Sequence, residues 1–134
     1  MKIPPKVLRM IRKYKTLLGI DKCGIKLTFV VDYEYIVKTE KPVEIPYEAE
    51  IVDCGEKQFL LIIPQGSLKK NIEEIIIHEL LHIFFWDYVE KTKSLIDTMD
   101  DWHKNRRIRL KEEVNSVEHI WIGKLIPIIK KFPL

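Results

Sequence analysis

The stretch Ile75-Ile76-Ile77-His78-Glu79-Leu80-Leu81-His82-Ile83-Phe84-Phe85-Trp86 decides how the rest of the chain is read. It is apolar from end to end except at His78, Glu79 and His82. A helix of 3.6 residues per turn stacks positions i and i+4 on one face, so both imidazoles point the same way. Two histidines and a glutamate inside an apolar run are costly to bury without a partner. A metal ion fits that need. The pattern His-Glu-x-x-His places two Zn²⁺ ligands at His78 and His82 and a general base at Glu79. Histidines satisfied by backbone carbonyls are the plainer reading. It accounts more readily for one histidine than for two at ligand spacing.

Around this stretch the composition describes a single domain spanning 1–134. The chain has 46% hydrophobic and 32% charged residues, the balance of a globular protein rather than a disordered one. A net charge of +3 permits a weakly basic patch but does not argue for a nucleic-acid partner. Cys23 and Cys54 are too few for a disulfide framework, and no Cys-x-x-Cys offers a thiolate zinc site. Neither a signal-peptide core nor an 18-residue apolar run is visible, so no membrane span is expected and the location expected is cytoplasmic.

The predicted fold is α+β. Pro4 or Pro5 opens a basic amphipathic helix that Gly19 stops after Leu18. Its apolar stripe is Val7, Met10, Ile11, Tyr14 and Leu18, and its cations face outward as a solvated surface. Branched and aromatic residues predict strand character from Ile25 to Val37, with a loop over Lys38–Pro46. A hairpin follows, with strands Tyr47–Val52 and Gln58–Ile63 joined by a turn at Asp53-Cys54-Gly55-Glu56. Phe59–Ile63 is apolar on both faces and should be covered on both, partly by the two-histidine helix. Asn71 followed by Glu74 forms a capping box that starts this helix, which is expected to end near Tyr88 or Lys91. Thr92–Asn105 reads as an irregular connection, and a last helix runs from Arg106 to Ile126, ending near Pro127.

A catalytic zinc typically takes three protein ligands and leaves one position for water. The third must come from downstream, where His103, Glu112, Glu113, Glu118 and His119 are available. Taking Leu110, Val114, Val117, Trp121, Leu125 and Ile128 as the buried stripe of the last helix puts Glu112 and His119 toward solvent. Glu113 and Glu118 then lie on its two borders, and periodicity does not choose between them.

Ile77-His78-Glu79-Leu80-Leu81-His82 followed by Glu113-Val114-Asn115 and Ile126-Pro127 resembles the zincin metallopeptidases with a glutamate third ligand. Among these it is most similar to small ImmA/IrrE-type and phage-encoded HExxH proteins. The resemblance covers roughly 47–127 in outline, but its specific letters are few. Leu81 stands where a glycine is usual, and the alanine-rich segment after Asn115 is missing. It implies a zincin-like arrangement: an N-terminal helix, a three- to four-stranded sheet with a hairpin, the HExxH helix on the sheet, and a C-terminal helix. It also implies Glu113 as third ligand. SprT-like zincins imply His103 instead, and Glu118 is a further alternative.

On this reading the protein is a zinc-dependent peptidase acting on a peptide or protein substrate. Glu79 takes a proton from water and returns it to the leaving amine. His103 is the first candidate for the oxyanion donor, with Tyr47, Tyr88 and His119 behind it, and Asp87 and Glu74 are near enough in sequence to orient the imidazoles. A substrate strand is expected to add to the hairpin's edge. The alternative is a non-catalytic zinc-binding regulatory protein of the same fold. Glu79 argues against it, since a structural zinc has no use for a glutamate in that slot.

Overall fold

The computed structural model describes residues 4–22, 24–30, 49–64, 71–99 and 104–132; the side chains of 24–30 and 64 are outside the description. The elements in chain order are α1 (Pro5–Leu17), β1 (Gly24–Val30), β2 (Glu50–Gly55), β3 (Gln58–Pro64), α2 (Ile72–Asp97) and α3 (Lys104–Lys130). The architecture is α+β with three helices.

Pro5 sits at the first position of α1, where a missing N–H is no loss. The helix ends as Gly19 enters a left-handed conformation at φ 70°. There the Gly19 N–H donates to Thr16 O (3.1 Å) and the Ile20 N–H to Lys15 O (3.0 Å), satisfying two terminal carbonyls. Val7, Ile11 and Tyr14 are buried, as the spacing predicts. The Tyr14 phenol donates a hydrogen bond to Glu73 in the first turn of α2. Burial pushes the phenol up from 10.0 to about 12, and the adjoining Glu73 carboxylate adds to the shift.

The described strands pair in the order β1-β3-β2, with β1 parallel and β2 antiparallel to β3. Phe59, Leu61 and Ile63 of β3 join the core cluster with residues from α1, α2 and α3. Ile62, on the opposite face, is equally buried. Coverage by the motif helix is direct at one point, where Trp86 meets the Phe59 ring edge-on at 5.4 Å between centroids. The predicted turn lies two residues too early. Asp53 and Cys54 stay in β2, with a register shift between Asp53 and Gly55, and the reversal falls at Glu56 and Lys57. Both adopt positive φ, 52° and 59°, as a two-residue hairpin turn of the primed type requires. The Asp53 carboxylate accepts a hydrogen bond from the Gly55 N–H (2.8 Å), which holds the chain ahead of the turn.

Helix α2 begins as expected, with the Asn71 side chain accepting from the Glu74 N–H at 3.4 Å. Its N-terminal half is apolar on several sides because α1, the sheet and α3 all contribute to the core around Ile76, Ile77, Leu80 and Leu81. Three helix boundaries differ from expectation. α2 continues past Lys91 to Asp97, carrying buried Ile96, and α3 starts at Lys104. The helices support each other through this region. Lys111 pairs with the Asp97 carboxylate and Arg107 donates to the Asp97 carbonyl (3.4 Å), so packing overrides modest propensity. α3 also runs through Pro127 to Lys130. The proline removes one backbone hydrogen bond near the helix end, while buried Ile129 and half-buried Ile126 pack against the core.

The buried stripe of α3 differs as well. Ile122 and Ile129 are buried and Val114, Glu118, Leu125 and Ile126 half-buried, whereas Val117, Trp121 and Ile128 are exposed. At 100° per residue the inward face is turned by about 60° from the predicted one. Tyr33–Ile36, the Lys38–Pro46 loop, Tyr47, Cys23 and His103 lie outside the described residues; Cys54 is an exposed free thiol. Among the described residues, no helix is long and apolar enough to cross a membrane.

Candidate metal centre

The turn of α3 builds the site. It seats Glu118 in the α2–α3 seam and brings His119 to the flank where α2 presents His78 and His82. Nε2 of His82 lies 3.2 Å from Nε2 of His78. The His119 ring is 4.9 Å from the His82 ring and 5.8 Å from the His78 ring, centroid to centroid. One ligand atom from each of the three histidines lies within 4.8 Å of the others.

Two hydrogen bonds fix ring tautomers. The His82 Nδ1–H donates to Glu118 Oε1 at 2.6 Å, and the His119 Nδ1–H donates to the Asn115 carbonyl at 2.8 Å. Carboxylate and carbonyl oxygens only accept, so both Nδ1 atoms carry a proton, which leaves Nε2 as the nitrogen available to a ligand. His82 is held below the usual histidine range, chiefly by burial and also by the neighbouring His119; the Glu118 carboxylate opposes the shift without reversing it. Neutral imidazole is the ligating form.

These residues fit a zinc ion. Zinc–nitrogen bonds of 2.0–2.1 Å in a tetrahedron separate two ligand nitrogens by about 3.4 Å, close to the observed 3.2 Å. His119 is the exposed member of the three, and the ligand atoms of the set lie within 4.8 Å of one another. A carboxylate on the far nitrogen of a ligating histidine is the usual outer support of such sites.

Glu79 is the one charged side chain buried among the described residues, at 6% exposure. It shares a cleft of about 450 Å³ with the three histidines. Ala49 with Glu50 and Ile51 of β2, an outer strand among the described ones, form one wall, and Trp86, Lys93 and Asn115 form others.

The sequence-predicted residues therefore divide. His78, Glu79 and His82 come together on one wall. Glu113 is exposed and lines a different, apolar groove with Tyr88 and Trp121, and the residue beside His78 and His82 in the cluster is His119. Glu118 is present as the partner of His82 Nδ1. Glu74 pairs with Lys130 at 3.0 Å rather than orienting an imidazole. Tyr88 is 75% exposed on the other groove. Lys93 carries no signal in the sequence, and Asn115 enters there only through the Glu113-Val114-Asn115 segment of the resemblance. One signal for His119 was available: the chain has four histidines, and three of them meet here. Compared with known protein families, curated proteins and solved structures, the chain finds no match.

Proposed function

We propose that this chain is a minimal zinc-dependent peptide hydrolase of zincin-like type. Its ligands are His78, His82 and His119, and its general base is Glu79. The observation that carries the reading is the meeting of three histidines from two helices beside a buried glutamate, inside an open cleft. A histidine in third place departs from the glutamate pattern of the family resembled, and Glu118 takes a supporting place.

When bound, zinc supplies Lewis-acid polarisation of a carbonyl and a water acidic enough to ionise near neutral pH. The remaining work falls to the chain. The Glu79 carboxylate accepts the proton of the attacking water and delivers it to the departing amine. Glu118 and the Asn115 carbonyl hold the imidazoles in one tautomer and one orientation. The side chains of Asn115 and Lys93, both lining the cleft, are the donors placed to meet negative charge on the carbonyl oxygen. β2, whose first residues wall the cleft and which is an outer strand among the described ones, is the strand to which an extended peptide would add.

Metal analysis of purified variants tests the ligand set. Wild type and Glu113→Ala are expected to hold one zinc per chain, and His78→Ala, His82→Ala and His119→Ala to lose it. Zinc retained in His119→Ala and lost in Glu113→Ala would restore the glutamate ligand. Catalysis is read separately, on unfolded casein. Glu79→Gln should keep zinc and lose cleavage; cleavage at the wild-type rate would exclude the general-base role, leaving the non-catalytic alternative if wild type is inert too.

A further inference from the structure

Outside the cleft, α1 carries a run of cations. Its thirteen residues include Lys6, Arg9, Arg12, Lys13 and Lys15 and no acid. The whole chain carries only +3, so the remainder is net negative. Four of these cations, with Met10 and Thr16, line an open groove of about 580 Å³. Two lysines outside α1 are neutralised by carboxylates, Lys111 by Asp97 and Lys130 by Glu74. No ion pair forms at Lys6, Arg9, Arg12 or Lys13 among the described residues; Lys13 instead lies 5.0 Å above the Tyr14 ring. Asp21, the nearby acid, accepts a hydrogen bond from Thr16 at 3.0 Å.

We propose that this face of α1 binds the phosphate backbone of duplex nucleic acid without reading its sequence. Three features select this occupant. The cations recur three and four residues apart, spacing charges about 4.5–6 Å along the axis to track a phosphate row. Guanidinium forks at Arg9 and Arg12 suit phosphate oxygens. The helix has no apolar face left for a bilayer, since Val7, Ile11 and Tyr14 are spent on the core and Leu8 alone is an exposed large hydrophobic. Tyr14, the aromatic residue of α1, is buried, so the face has no platform for stacking unpaired bases. This leaves contact with a paired backbone.

The test uses the full chain and a fluorescent 20-base-pair DNA duplex, read by anisotropy between 25 and 100 mM salt. Four phosphate contacts predict a slope of log K against log salt near −3.6 and a weakening of about 100-fold over that range. Arg9→Gln with Arg12→Gln should reduce the slope magnitude by about 2 while leaving the melting temperature and zinc content unchanged. Two duplexes of unrelated sequence should bind alike. Absence of binding at 25 mM salt would overturn the proposal and leave α1 a solvated face. So would an unchanged slope in the double variant. Equal or tighter binding to anionic phospholipid vesicles or to polyglutamate would also overturn it.

Discussion

Replacing Glu118 by alanine isolates the contact that ties the two helices of the site together. Its carboxylate accepts the His82 Nδ1–H at 2.6 Å, with the two side chains 10% and 18% exposed. Removing it leaves an imidazole N–H facing a partly dry seam and frees the ring to tip. Loss of such an outer partner weakens metal affinity by about 10- to 100-fold, or about 1.4–2.7 kcal/mol. Independently of metal, stranding the N–H should cost about 1–3 kcal/mol of stability. Glu118→Gln keeps an acceptor and loses the charge, so it should fall between wild type and alanine. Zinc affinity is measured by competition with a chromophoric chelator, and stability by urea denaturation of the metal-free chain. Affinity in Glu118→Ala equal to wild type would refute the supporting role. A loss as complete as in His119→Ala would refute it in the other direction, making Glu118 a ligand itself.

Three further outcomes are expected. Because the folded pKa of Tyr14 is raised from 10.0 to about 12, its contribution is fully present below pH 10 and is lost as pH rises from 10 to 12. At 1.36 kcal/mol per unit this amounts to at most about 2.7 kcal/mol, and the urea-derived difference between wild type and Tyr14→Phe should change by that order across the window. At the hairpin, Glu56→Asn with Lys57→Gly suits the positive φ values and should stabilise by about 1 kcal/mol in the same assay; a loss would contradict the turn geometry. A Cβ at Gly19 meets no atom within 4 Å, so the cost of Gly19→Ala, roughly 1–2 kcal/mol, should be purely conformational, and a neutral substitution would rule out the left-handed helix stop.

Much of the scaffold was legible because its signals are local. Asn71 with Glu74, Gly19 after Leu18, and the four-residue spacing of His78 and His82 each specify their own geometry. What was not legible depends on partners distant in sequence. Val117, Trp121 and Ile128 resemble core positions on a helical wheel, and only the packing of α3 against α2 turns Glu118 and Ile122 inward instead. His119 reads as a solvent residue because a cleft wall and a surface are equally polar in sequence. The same dependence hides the length of α2, whose last turns are held by Lys111 and Arg107 from across the seam. Glu56 and Lys57 carry no turn signature of their own, and Gly55 draws the reading two residues toward the N-terminus.

The parallel pairing of β1 with β3 bears on the order in which the chain assembles. Within the hairpin, Asp53 meets Phe59 six residues away, whereas Gly24 meets Gln58 across 34 residues. Loop-closure cost rises with separation, by about 0.6 kcal/mol per doubling, and is incurred before any parallel hydrogen bond forms. The hairpin and the α2–α3 pair are therefore expected to form early, with β1 docking last. Pulsed hydrogen exchange during refolding should show β2–β3 amides protected ahead of those in β1; simultaneous protection would mean that one closure event builds the whole sheet.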